Sequence, residues 1–209
     1  MAQLEQEAAD SLGVTLYELM QRAGQASFTL ARQSWPEAKH WLILCGHGNN
    51  GGDGYVIARL AQAAGIAVTL LACEGSRPLP DEARQAREAW LEAGGEIHAA
   101  DSVWPEPIDL IVDALLGTGL SRAPAAPYTT LIEAINQHTA PVLAIDAPSG
   151  LLATTGVTPG VAVVASRTLS MIALKPGLLT GKARDHVGEL HCDTLGLDAW
   201  LSGQQAPVR

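Results

Sequence analysis

Four short stretches of this chain carry the residue types that chemistry uses: GHGNNGGDG at 46–54, DALLGTGLSR at 113–122, DAPSG at 146–150 and KPG at 175–177. The first sets glycines beside two amides, Asn49 and Asn50, and one carboxylate, Asp53. It follows an apolar run, HWLILC, and precedes Val56, Ile57, Leu60 and Ala64 at helical spacing, with Gly65 as the stop. A strand, a glycine loop and a helix in that order make an anion site. The free N–H groups of a helix start point outward, and glycine lets a phosphate reach them. Asp113 and Asp146 each come directly after an apolar run, DLIV and PVLAI, so each carboxylate is expected to emerge at the mouth of a sheet. Lys175 closes a third run, LSMIAL. Any one of these is ordinary turn composition. Four such loops at the same edge of a parallel sheet would form a binding crevice.

Several chemistries fit this set. Gly46, Gly48 and Gly51 match G-x-G-x-x-G, and Glu74 ends the next strand where a ribose-binding acid sits in nicotinamide dehydrogenases. Against that reading, Asp53 at the helix start would repel a pyrophosphate unless turned aside as a cap. The paired amides have no part in that fingerprint. Asn50, Asp113 and Ser149 supply an amide oxygen, a carboxylate and a hydroxyl from three adjacent loops. They fit an all-oxygen cage for an alkali or alkaline-earth cation, and equally a hydrogen-bond network tying the loops together. The six histidines lack paired ligand spacing, and His47 reads as loop packing rather than as a base. Of the three cysteines, Cys45 and Cys73 read as buried free thiols within or at the ends of strands.

The elements that must position these residues alternate. The first forty residues read as helical; Thr15 and Glu18 have capping-box spacing, and Leu16, Leu19, Met20 and Ala23 form one apolar face, expected to pack over the sheet. Strand AVTLLAC, a helix over about Pro80 to Ala93, a short strand EIHAA, strand DLIVDALLG, a helix in YTTLIEAINQH and strand PVLAI follow, with two late strands in RTLSMIALKPG and GELHCDTLG. This order predicts right-handed βαβ units and a mostly parallel sheet. Residues 1–201 read as one domain and 202–209 as a linker-like tail. At 209 residues with 47% hydrophobic content the chain can bury a sizeable core. Its formal charge of −9 argues against a nucleic-acid or membrane-surface binder. No N-terminal apolar leader and no span of membrane length is seen, which predicts a cytoplasmic protein.

Taken together, GNNGGDG, VDALLGTGL, DAPSG and LMQRAG resemble the NAD(P)H-hydrate epimerase family, the YjeF N-terminal domain, from about Glu5 to Leu201. The resemblance is nearest to the epimerase half of bifunctional bacterial repair enzymes. It implies a Rossmann-like α/β three-layer sandwich and interconversion of the R and S forms of NADHX and NADPHX, the hydrates of the reduced nicotinamide cofactors. It also implies a fused or separate hydrate dehydratase as partner, and a homodimer would fit the family. Asn49, Asn50, Gly51, Gly52 and Asp53 would contact substrate, as would Gly117, Thr118, Gly119, Leu120, Ser121, Arg122 and Ala123. Asp146 would also touch substrate, and Asn50, Asp113 and Ser149 match the family's potassium ligands. The chemistry needs one group that gives and recovers a proton; Asp146 is the candidate, with Lys175 orienting or assisting it. A non-catalytic dinucleotide-binding or interaction module of the same fold is the rival reading. Such a module should lose these acidic and cation-binding positions, which the chain keeps.

Overall fold

The computed structural model describes residues 2–204 and, of these, the side chains of 6, 7 and 9–202. Two helices, α1 (Ala2–Leu12) and α2 (Leu16–Ser34), lead in. Thr15 caps α2: its Oγ1 accepts the Glu18 N–H at 3.1 Å, while its own N–H donates to Glu18 Oε2 at 2.7 Å. Then come β1 (His40–Cys45), α3 (Asn49–Ala63), β2 (Ala67–Ala72), α4 (Asp81–Glu92), β3 (His98–Ala99), β4 (Leu110–Ala114), α5 (Tyr128–Gln137), β5 (Val142–Ile145), β6 (Arg167–Met171), β7 (Glu189–Asp193) and α6 (Asp198–Gln204). α6 thus carries regular structure three residues into the expected tail, and 205–209 lie outside the described residues.

The strands form one sheet in the order β3-β2-β1-β4-β5-β6-β7, every pair parallel. The chain winds outward from β1 toward β3, then returns to β4 and winds the other way. The switch therefore lies between β1 and β4. Strand alternation divides the core. Trp41, Ile43 and Cys45 face the layer of α2, α3 and α4, whereas Leu42 and Leu44 face α5 with Leu131, Ile132 and Ile135. All five of these β1 side chains are fully buried, and each large one contributes about 1.5–3 kcal/mol by leaving water. The expected α/β three-layer sandwich with N-terminal helices is what forms. Among the described residues no helix is long and apolar enough to cross a membrane.

Two expectations need correction. The glycine stretch is not a loop that precedes its helix: α3 starts at Asn49, so Gly51, Gly52 and Gly54 lie inside it. Glycine in a helix interior costs roughly 1 kcal/mol relative to alanine, and close packing explains why it is kept. A Cβ on Gly54 would sit 2.6 Å from Cys45 Sγ and 2.9 Å from Ala114 Cβ, and one on Gly51 would overlap the Gly46 carbonyl. These glycines let α3 lie down on β1 and β4. Asp113, too, does not emerge beyond its strand. Ala114 continues the ladder by pairing with Cys45, so Asp113 is an interior strand residue, fully buried.

Candidate active site

A cavity of about 710 Å³ opens at the carboxyl edge of the sheet, over the switch between β1 and β4. It is lined by Asn49, Asn50 and Asp53 of α3, by the loop from Leu115 to Arg122 after β4, and by Asp146 and Lys175 after β5 and β6. All four chemistry-bearing loops thus supply residues to one crevice.

Two tight turns set its floor. Asp146 has φ +67°, and the Ala147 N–H donates across it to the Ile145 carbonyl at 2.8 Å. Ile172 repeats the device with φ +67° and an Ala173 N–H to Met171 carbonyl bond of 2.7 Å. Such three-residue turns with positive φ are rare and strained in non-glycine residues. Beside the first turn, the Asp146 N–H donates to the Leu169 carbonyl at 2.8 Å and ties the end of β5 to β6. The Asp146 carboxylate, with 13% of its side chain exposed, forms an ion pair with Lys175, whose side chain is 9% exposed. Asp146 Oδ2 accepts the Thr118 N–H at 3.3 Å, and Oδ1 accepts the Met171 N–H at 3.4 Å. A carboxylate and an ammonium are thereby held almost dry at one point of an open cavity.

Beneath the loops sits a second cluster. Asp113 accepts the Ser149 N–H at 2.8 Å, the Ser149 hydroxyl at 2.6 Å and the Leu115 N–H at 3.3 Å. None of these donors is charged. Burial is the larger influence and pushes the Asp113 carboxyl up to about 6, against the lowering effect of the Ser149 and Leu115 hydrogen bonds. Ser149 Oγ also receives the Leu116 N–H at 2.8 Å. Next along that loop, a Cβ on Gly117 would come within 3.2–3.3 Å of the Asn50 side chain, whose Nδ2 is buried without a hydrogen-bond partner. The network that ties the loops together is therefore present. Asp113 has no counter-charge among these partners, and the Asn50 amide lies beside the same loop.

Of the residues expected to bind substrate, Asn49, Asn50, Asp53, Gly117, Thr118, Gly119, Leu120, Ser121, Arg122 and Asp146 line the cavity, as does Lys175, expected to orient or assist Asp146. Gly51 and Gly52 do not: they are packed inside α3, Gly52 against Met20. Ala123 is exposed beyond the lining. His47 reaches the rim but spends Nε2 on the Arg77 carbonyl at 2.6 Å, as loop packing requires. Sequence reasoning missed the apolar wall. Leu16, Leu19, Met20 and Ala23 of α2, together with Ile172 and Leu195, line the cavity. The helical period that exposes such a face is the same whether it covers a sheet or a ligand. Tyr128, whose hydroxyl accepts the His47 N–H at 3.2 Å, carried no sequence signal at all.

Residues 16–177 match the family described as YjeF-related protein N-terminus. The bifunctional NAD(P)H-hydrate repair enzyme Nnr of Escherichia coli K12 is 65% identical over 205 residues, 98% of this chain and 40% of that protein. The NAD(P)H-hydrate epimerase of Bordetella bronchiseptica is 40% identical, covering 86% of this chain and 79% of that one. A crystal structure of the yeast protein ynu0 shares the fold with TM-score 0.75 over 88% of this chain and 82% of that one, at 22% identity. The chain thus spans about 40% of the length of the bifunctional relative and most of the stand-alone epimerase. By the family match and by these identities, the chain belongs to the YjeF-related N-terminal family, which includes the NAD(P)H-hydrate epimerases.

Proposed function

We propose that this domain is an isomerase that interconverts the R and S epimers of NADHX and NADPHX. The observation that carries the reading is the Asp146–Lys175 pair, nearly dry, at the floor of a cavity with one polar and one apolar wall. The hydrate's C6 hydroxyl belongs to a carbinolamine, so the ring nitrogen lone pair expels it once the oxygen is protonated. The products are water and a planar iminium; return of water to either face gives either epimer. Asp146 in its protonated form passes the proton to the leaving hydroxyl, and the carboxylate so formed takes a proton back from the returning water. Lys175 fixes the carboxylate and balances its charge. The flat ring lies against the α2 wall of Leu16, Leu19 and Met20. The first N–H groups of α3, unpaired within the helix, and the Gly117–Arg122 loop hold the phosphates and ribose.

Asn50, Asp113 and Ser149 would hold a potassium ion, which supplies a fixed positive charge beneath the phosphate-binding loops. The natural partner is a hydrate dehydratase, in keeping with the bifunctional relatives. The three free cysteines accord with a reducing, cytoplasmic setting. The test is direct: add the protein to a single purified hydrate epimer and follow appearance of the other by chromatography. Exchange well above the spontaneous rate is expected. Exchange at the spontaneous rate would overturn the reading.

A further inference from the structure

We propose that Ser170 is a positioning residue for the acid–base pair, its hydroxyl setting the direction in which the Lys175 ammonium faces Asp146. Ser170 is fully buried in β6. Its own hydrogen goes to the Ala173 carbonyl at 2.8 Å, which turns a lone pair toward Lys175, and Lys175 Nζ donates to that oxygen at 3.1 Å. A second Nζ hydrogen goes to the Met171 carbonyl at 2.7 Å, and the third to the Asp146 carboxylate. An ammonium has three hydrogens and no acceptor, so this cradle uses all of them and leaves the group one orientation. The turn at Ile172 makes the cradle, because it folds Ala173 back over Ser170. Other titratable groups near the pair lie on β7. They are Cys192, within electrostatic range of both Lys175 and Asp146, and Asp193, whose Oδ1 accepts the Leu195 N–H at 2.8 Å. With Ser170 removed, the ammonium keeps two acceptors and can swing about the line joining them.

The kinetic arm of the test rests on the epimerase reading; the spectroscopic arm does not. Ser170→Ala is expected to lower kcat by about ten- to a hundredfold, the usual loss when a reacting group is misplaced by a fraction of an ångström to an ångström, with KM nearly unchanged. Ser170→Cys, which keeps the volume and offers only a weak acceptor, should fall in the same direction and guards against a packing defect in the alanine variant. In a Lys175→Met background, Ser170→Ala should cost no more than about twofold further, since residues that act through one another are not additive. In the ¹⁵N-lysine spectrum, the parent should show a Lys175 ammonium signal protected from water exchange, and Ser170→Ala should broaden or erase it. Parental kcat in both Ser170 variants would overturn the proposal. So would an undiminished Ser170→Ala effect in the Lys175→Met background, or an unchanged ammonium signal. If the parent itself exchanges no epimers, the epimerase reading fails, and the ammonium signal alone decides the cradle.

Discussion

Asp113 offers a measurable link between pH, potassium and folding. Its carboxyl is pushed from an ordinary 3.8 up to about 6 by burial. Two units correspond to roughly 3 kcal/mol. The sign is opposite to that of a salt-bridged aspartate. Between about pH 4 and 6 the folded protein keeps a proton that the unfolded chain has released, so stability falls as pH rises through this window. The penalty is absent below pH 4 and fully present above pH 6. A potassium ion beside the carboxylate would offset it where the carboxylate is charged, and would do nothing where it is protonated. The experiment is urea unfolding of the parent and of Asp113→Asn from pH 4 to 8, in potassium chloride and in tetramethylammonium chloride at equal ionic strength. Asparagine does not titrate, so the difference between the two proteins isolates this group. It also offers one acceptor where the structure has three donors, Ser149 N–H, Ser149 Oγ–H and Leu115 N–H. The protonated parent shares that shortage of acceptors at low pH, and the offset left between the two proteins is common to both salts. In tetramethylammonium the parent's stability relative to the variant's should fall by roughly 3 kcal/mol between pH 4 and 7. In potassium the fall should be clearly smaller. Superimposable curves in the two salts would refute the cation site, and a flat difference across the range would refute the burial argument.

Asp146→Asn should lower epimer exchange by about 10²–10⁴-fold while keeping the backbone, because asparagine tolerates the φ of +67° at this position. Its thermal melt should report a loss of about 1–3 kcal/mol, since Lys175 then has a neutral acceptor in place of a counter-charge. Thr15→Ala removes the cap of α2 and should cost about 1 kcal/mol in denaturant unfolding. Because Leu16 and Leu19 line the cavity just beyond that cap, KM should rise with kcat unchanged, and a KM equal to the parent's would show that the wall is held otherwise. Gly54→Ala is worth testing because propensity and packing oppose each other. The helix gains roughly 1 kcal/mol from alanine. The overlap with Cys45 and Ala114 should cost more, about 1–3 kcal/mol, so a stabilised variant would contradict the packing account.

Much of this was legible in the sequence because βαβ alternation leaves few arrangements and directs the strand ends to one edge. The loop after β1, the loop after β4, Asp146 and Lys175 were brought to a single crevice on that logic. What was not legible depends on distance rather than period. Whether Gly51, Gly52 and Gly54 sit in a loop or inside α3 is decided by how closely the helix approaches Cys45 and Ala114. Asp113 differs from Asp146 by one more ladder pair, Ala114 with Cys45, which no apolar run announces. The face of Leu16, Leu19 and Met20 reads identically as core or as cavity wall. The positive φ of Asp146 is one that aspartate tolerates better than most residues, but an apolar run followed by DAPSG does not announce it.

One long-range bond bears on synthesis. Arg22 Nη1 of α2 donates to the Leu195 carbonyl at 3.0 Å, joining positions 173 residues apart. Leu195 lines the cavity beside Leu16, Leu19, Met20 and Ala23 of α2, the helix that carries Arg22. At the usual rate of roughly 5–20 residues per second, Leu195 leaves the ribosome on the order of 10–35 s after Arg22. During that interval α2 can already pack on α3 and α4, but the cavity lacks the part of its wall that Met171, Ile172, Lys175 and Leu195 supply. The site is thus among the last features of the domain to be completed.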